Sequence, residues 1–281
     1  MRIAKIAAFS HNRTGGNPAG VVLLDTPLTD QEMARIAADL GYSETAFAVA
    51  QDGSTLAWRV RYFSPQSEVP FCGHATIALG AALGEQYGKG QYDLTLNDAA
   101  ISVHAQHTDG GYTATLTSPP THSRPLTADE RAEAMSLFEL SEIDFDPRLA
   151  PARIHGGSDH IVLPLRNRER LSQMHYRLAD GKAIMDRHGL VTIMLVTIED
   201  NHTFDVRNAF ASGGVFEDPA TGAAAAAFAG YLRDVNWEHG GHITLHQGHD
   251  MGHPSLIKVQ LSDEKGSPVS VSGATRSITD D

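Results

Sequence analysis

Two short segments carry side chains suited to moving protons and holding an anion. Cys72-Gly73-His74-Ala75-Thr76 sets a thiol and an imidazole close together, and Asp218-Pro219-Ala220-Thr221-Gly222 sets a carboxylate before a hydroxyl. Each segment is entered eleven residues after an arginine, in Val60-Arg61 and Val206-Arg207, and each opens a run of small apolar residues. The offset of 146 is about half of the 281 residues. Such a repeat predicts two related half-proteins with polar groups at the mouths of buried helices, and so a site between two lobes. The first turn of a helix exposes backbone N–H groups and the positive end of its dipole, which suits a carboxylate-bearing ligand. Asp218-Pro219 is equally an ordinary helix start, with Asp as N-cap and Pro at the first helical position.

Glu44 is the candidate base. It shares one face of an extended stretch, 43–50, with Ala46 and Ala48, while Thr45, Phe47 and Val49 take the other. A small apolar wall strips water from a carboxylate and pushes its pKa toward values useful in proton transfer. The plain alternative is an exposed glutamate at a strand start. His74 in the helix mouth is a candidate proton carrier or ligand donor, or else a hydrogen-bonded structural histidine. Cys72 is the single cysteine, so two-thiol racemase chemistry is excluded; the repeat sets Asp218 opposite Cys72.

Other groupings are weaker. His239, His242, His246, His249 and His253 suggest metal ligation, but His242 and His246 lie in a strand-like segment and the Glu of His-Glu-x-x-His is missing, so no metal centre is expected. Ser158, Asp159 and His160 lack a Gly-x-Ser-x-Gly elbow and are too close in sequence for a triad. Neither a Walker A loop nor a Gly-x-Gly-x-x-Gly after a strand is present, so nucleotide use has no support.

The elements that must position these groups are mostly strands. Patterning predicts strands at 1–9, 20–24, 57–63, 92–97, 99–105 and 111–117, then at 152–156, 160–165, 190–198, 202–207, 242–246, 255–261 and 268–272. Thr29-Asp30-Gln31-Glu32 has capping-box spacing before a helix stopped at Gly41. Further helices are expected at 127–138 and 179–188. Ser118 to Arg124, with Pro119-Pro120, is the expected crossover between lobes. Ala75 to Leu83 and Gly222 to Leu232 have no polar face, and a helix apolar all round must be buried all round. The predicted class is α+β: two pseudo-symmetric lobes, 1–118 (with about 268–281) and 119–267, each a mostly antiparallel barrel around a central helix. A helix sandwiched in an ordinary α/β fold is the alternative.

With 41% hydrophobic residues the chain can bury a core, and its formal charge of −12 argues against nucleic acid and a basic membrane surface. No apolar run reaches the length needed to span a bilayer, and Met1-Arg2-Ile3-Ala4-Lys5-Ile6 enters a strand pattern without a secretory h-region. A soluble cytoplasmic protein is expected.

Gly16-Asn17-Pro18-Ala19-Gly20, Ser43-Glu44-Thr45, Arg61-Tyr62-Phe63-Ser64-Pro65, Phe71-Cys72-Gly73-His74-Ala75-Thr76 and Glu217-Asp218-Pro219-Ala220-Thr221-Gly222 occur in the order seen in the PhzF-like (phenazine biosynthesis) isomerase family. Gln247-Gly248 and Met251-Gly252-His253-Pro254-Ser255 resemble its late signature. The resemblance covers essentially the whole chain. It implies a diaminopimelate epimerase-like fold, a C-terminal strand returning to the first lobe, and homodimers. It also implies a cofactor-independent isomerase acting on a small cyclic carboxylate such as trans-2,3-dihydro-3-hydroxyanthranilate. Glu44 would be the general acid/base, assisted by His74 and Asp218, and backbone around Gly73 and Gly222 would receive the carboxylate. Asn17, Ser43 and the positions of Ala223 and His253 complete the implied substrate contacts. The chain departs from the pattern at the last two, where the family often has serine and arginine. One hydroxyl contact is thereby lost, and anion binding becomes weaker or pH dependent. A small-acid binding or interaction protein without turnover stays open beside the isomerase, and a metal-dependent hydrolase built on the histidines ranks last.

Overall fold

The computed structural model describes residues 1–97, 99–108 and 111–279. The chain divides into two compact units, Met1–Thr117 with the segment from Ser272 onward, and Ser118–Val271. Each is a curled, mostly antiparallel sheet around one buried helix, an α+β arrangement.

In the first unit Arg2–Ser10 pairs antiparallel with Asn17–Leu24, which runs parallel to Thr45–Ala50. The parallel step needs a crossover, and helix Asp30–Leu40 supplies it. Thr29 caps that helix through the expected reciprocal box with Glu32, and Gly41 ends it in a left-handed conformation. Ala57–Phe63 lies antiparallel to Thr45–Ala50 and is joined by the short strand Glu68–Val69. The central helix, Gly73–Tyr87, follows, with every residue from Gly73 to Gly84 buried. Gly90–Thr95, Ala100–Thr108 and Gly111–Thr117 continue the sheet. Residues 274–277 return to pair with Arg2–Ser10. Val22, Leu24, Met33, Ala37, Phe47 and Phe63 fill a core between the crossover helix and the sheet.

The second unit repeats the order. Ala152–His155, Asp159–Leu165, helix Leu178–His188, Thr192–Ile198, Thr203–Ala209 and Glu217–Asp218 lead into the central helix Gly222–Asp234. Strands His242–Gln247 and Ser255–Gln260 follow it. The antiparallel and parallel pairings recur in the same sequence. Alanine and glycine along both central helices explain the close wrapping: small side chains let the strands approach the helix from several sides. His122–Pro125, expected as crossover, is an additional strand paired with Ala152–His155. Among the described residues no helix is long and apolar enough to cross a membrane.

The repeat has one internal correction. The long strands Ala57–Phe63 and Thr203–Ala209 keep the offset of 146, but the helices Gly73–Tyr87 and Gly222–Asp234 start 149 residues apart. The second unit holds a longer connection after its strand, containing the 3₁₀ turn Ala211–Gly213. Strand pairing sets Phe63 against Glu68 and Ala209 against Glu217. Cys72 therefore corresponds to Thr221, each the residue before its helix, and Asp218 corresponds to Val69. The expected match of Asp218 with Cys72 does not hold.

Candidate functional site: a buried carboxylate, imidazole and thiol

Glu44 closes the turn that precedes Thr45–Ala50, and its carbonyl accepts from the Gly20 N–H at 3.2 Å. Both faces of the strand are covered from Thr45 to Ala48, so the residue entering it is drawn inside as well. Glu44 is 7% exposed, which rules out a solvated glutamate at a strand start. Its Oε2 makes no hydrogen bond and lies 3.4 Å from His74 Nε2. The two groups are close enough to attract but are not aligned for a hydrogen bond. Burying a carboxylate oxygen without a partner costs several kcal/mol unless something else satisfies it, which makes this atom a candidate functional group.

His74 stands in the first turn of the central helix and is itself buried. Burial lowers its pKa below the usual histidine value, and the neighbouring Glu44 charge offsets part of that. The imidazole is therefore neutral at pH 7. Ser43 Oγ lies 3.4 Å from His74 Nε2, and Cys72 Sγ lies 3.3 Å from Nδ1. The helix mouth is fixed from behind: Thr76 Oγ1 donates to the Cys72 carbonyl at 2.7 Å and meets the Tyr62 hydroxyl at 2.6 Å. Thr76 N–H closes the first helical hydrogen bond on that same carbonyl, so the N–H groups of Gly73, His74 and Ala75 have no intrahelical acceptor. Asn17, at the start of its strand, is 2% exposed.

The second unit builds its turn differently. Thr221 Oγ1 donates to Asp218 Oδ2 at 2.6 Å, and Gln247 Nε2 donates to the Asp218 carbonyl at 2.7 Å. Gln247 Oε1 accepts from the Thr221 N–H at 3.1 Å, so one buried amide clamps both ends of the turn. Nothing local in Gln247-Gly248 announces this clamp in the sequence. Gly248 is left-handed, and a Cβ there would meet the His253 carbonyl at 2.3 Å and the Pro219 carbonyl at 2.7 Å. The loop carrying His253 is thus laid against the Asp218-Pro219 turn, with the His253 side chain exposed. Gly222 is buried, while Ala223, the counterpart of His74, is half-buried.

An ion pair braces each turn. Arg61 Nε donates to Glu68 Oε1 at 2.7 Å, and Arg207 Nε donates to Glu217 Oε1 at 3.0 Å. The arginines repeat at an offset of 146, whereas the glutamates that answer them follow at unequal spacing, so the sequence does not pair them. The other groupings do not assemble. His160 is fully buried between Ser158 and Thr192, while Asp159 pairs with Arg153 and His155. The late histidines form ring stacks, His202 on His242 and His246 on His249. Among the described residues, only Glu44, Cys72 and His74 bring three potential ligand atoms together. A recess of about 410 Å³, lined in part by Arg13, Ala81, Glu85 and Arg276, lies toward the other end of the first central helix and holds none of these three.

Comparison with known proteins identifies the family. The model of the phenazine biosynthesis-like protein family (PhzC-PhzF) matches residues 6–279. The chain is 30% identical to the uncharacterized isomerase YddE of Escherichia coli O157:H7, over 97% of this chain and 95% of that one. It is 28% identical to the trans-2,3-dihydro-3-hydroxyanthranilate isomerase of Pseudomonas aeruginosa, over 97% of this chain and 95% of that protein. In fold it is similar to a predicted epimerase from Pseudomonas aeruginosa, with a TM-score of 0.86 at 24% identity, covering 99% of this chain and 97% of the other. The chain belongs to the phenazine biosynthesis-like family of isomerases.

Proposed function

We propose that the protein is a cofactor-independent isomerase that moves a proton between carbons of a small cyclic carboxylate, with Glu44 as general acid/base. The observation that carries this reading is the buried Glu44 Oε2, without a hydrogen bond and 3.4 Å from a buried imidazole. A buried carboxylate oxygen with no hydrogen bond and no cation on it is free to meet a substrate C–H. Glu44 takes a proton from one ring carbon, and the electron pair moves into the conjugated system. The proton held on the Glu44 carboxyl exchanges with solvent before it is delivered to another carbon, so the carboxylate is regenerated, no co-reactant is consumed and solvent deuterium enters the product. His74, neutral and beside Glu44, hydrogen-bonds the substrate and polarises it as charge develops. The N–H groups around Gly73 receive the substrate carboxylate through the helix terminus. Asp218 assists from the second unit; its buried carboxylate, held by the Thr221 hydroxyl at 2.6 Å beside the helix that opens at Gly222, supports that reading. Ser43 and Asn17 complete the polar contacts, and a dihydro-hydroxyanthranilate-like ring is the substrate class favoured by the isomerase relative.

One observation favours a second reading, a small-acid binder without turnover. Where His74 occupies the first turn of one helix, Ala223 offers no polar group at the corresponding place of the other. NMR in D2O with trans-2,3-dihydro-3-hydroxyanthranilate and related cyclic acids separates the two. The isomerase reading expects deuterium at substrate carbon with wild type and its loss in Glu44→Gln. Turnover undiminished in Glu44→Gln would remove Glu44 as the base; binding without any exchange would establish the second reading.

A further inference from the structure

We propose that Glu44, Cys72 and His74 also form a binding site for a thiophilic divalent cation, Zn²⁺ above all, and that the bound ion shuts down the proton transfer assigned to Glu44. The inhibitory consequence rests on the function proposed above; the ligation does not.

The donor set is a thiol sulfur, an imidazole nitrogen and a carboxylate oxygen, all within 4.8 Å of one another. Cys72 Sγ lies 3.9 Å from His74 Nε2, and Nε2 lies 3.4 Å from Glu44 Oε2. Tetrahedral zinc with bonds near 2.3 Å to sulfur and 2.0–2.2 Å to nitrogen and oxygen holds its donors roughly 3.3–3.8 Å apart. The three atoms therefore stand close to ligand separations, and side-chain rotation of His74 and Cys72 closes the remainder.

Burial adds a second argument. The three residues are 7%, 8% and 5% exposed in the order Glu44, Cys72, His74, and Glu44 Oε2 has no hydrogen bond. A cation there satisfies an oxygen that the protein leaves unanswered. A carboxylate and a thiolate together neutralise a divalent ion, and the thiol proton leaves to solvent as the metal–sulfur bond forms. Three protein ligands leave a fourth position for water or an anion. Soft thiolate favours Zn²⁺ over Mg²⁺ or Ca²⁺, which prefer oxygen-only sites. A coordinated Glu44 cannot accept a carbon-bound proton, so metal and catalysis compete for one oxygen.

Co²⁺ serves as the probe, because cobalt bound to thiolate shows a charge-transfer band in the near ultraviolet and intense visible bands when tetrahedral. Titration of the full chain is expected to give one such centre per chain, displaced by Zn²⁺ and absent in Cys72→Ala and Cys72→Ser. Circular dichroism of both variants confirms folding. His242→Ala/His246→Ala, which removes one exposed and one half-buried histidine outside this cluster, is expected to keep the band. A wild-type protein that binds Co²⁺ without the thiolate band, or a band that survives both Cys72 variants, overturns the proposal. Zn²⁺ is further expected to suppress substrate deuterium exchange at least tenfold, with recovery on adding EDTA. Undiminished exchange at saturating Zn²⁺ overturns the inhibitory half. The cobalt spectrum needs no turnover, so failure of the isomerase reading and failure of the metal site are read separately.

Discussion

His74 Nε2 stands 3.4 Å from Glu44 Oε2, with both side chains under 10% exposed. Two opposing effects act on the ring: lost hydration favours the neutral imidazole, and the adjacent carboxylate favours the protonated one. The loss of hydration wins, so the His74 pKa is lowered. NMR titration of the ring is expected to give a midpoint below the ordinary 6.5, and Glu44→Gln, which removes the opposing charge, should lower it further. A midpoint above 6.5, or one that rises in Glu44→Gln, would contradict this balance.

The two arginine–glutamate pairs should differ sharply in worth. Arg207 and Glu217 have side chains only 9% and 2% exposed, and Arg207 Nη1 also donates to the Ser172 carbonyl at 2.9 Å. Arg207→Met leaves Glu217 buried and uncompensated, at a cost of about 3–5 kcal/mol in urea unfolding. Arg61 and Glu68 are 23% and 26% exposed, so solvent screens the pair and Arg61→Met should cost about 1 kcal/mol or less. Equal losses would refute the distinction.

Gly230 lies where the second central helix touches Thr121. A Cβ at Gly230 would sit 2.3 Å from Thr121 Oγ1 and 2.4 Å from its Cβ. Alanine in a helix interior is intrinsically favoured by about 1 kcal/mol. Overpacking should exceed that, so Gly230→Ala is expected to lower stability by about 1–3 kcal/mol before the propensity gain is counted. A raised urea midpoint would show that the contact yields freely.

His160 is held neutral by complete burial, its pKa lowered to about 3. The unfolded chain takes up a proton near pH 6.5 that the folded chain refuses. The stability this burial permits is fully present above about pH 6.5 and is lost progressively as the pH falls toward 3, at up to roughly 1.4 kcal/mol per pH unit. Wild type should therefore lose stability more steeply between pH 6 and pH 4 than His160→Gln. Parallel curves for the two would show that His160 takes no part.

Much of the fold was legible because its signals are local. The capping box at Thr29 and Glu32 is read from four residues, and the central helices declare themselves by lacking any polar face. The strands Glu68–Val69 and Glu217–Asp218 were not legible, since two residues show no periodicity. The equal spacing from Arg61 to Cys72 and from Arg207 to Asp218 misled for the same reason: the longer connection of the second unit is hidden until the strands pair. Glu44 and His74 were identified singly, but their meeting across 30 residues of chain depends on tertiary packing. The Gln247 clamp on the Asp218 turn is likewise a contact between distant segments, and no local pattern announces it.

The pairing of Ile6 with Ser277 has a consequence for biosynthesis. Thr275 Oγ1 donates to the Tyr112 carbonyl at 2.7 Å, and the Ile278 N–H donates to the Lys5 carbonyl at 2.8 Å. On the ribosome, the unit that begins the chain must wait for the last of its strands until the whole of the other unit has been made. A contact of such sequence separation is slow to form and costly to close. During that wait the first strand presents an unpaired edge, the kind of surface on which nascent chains associate wrongly. Release of residues 274–278 from the exit tunnel, rather than collapse of the first hundred residues, is the event that completes the sheet beside Arg2–Ser10.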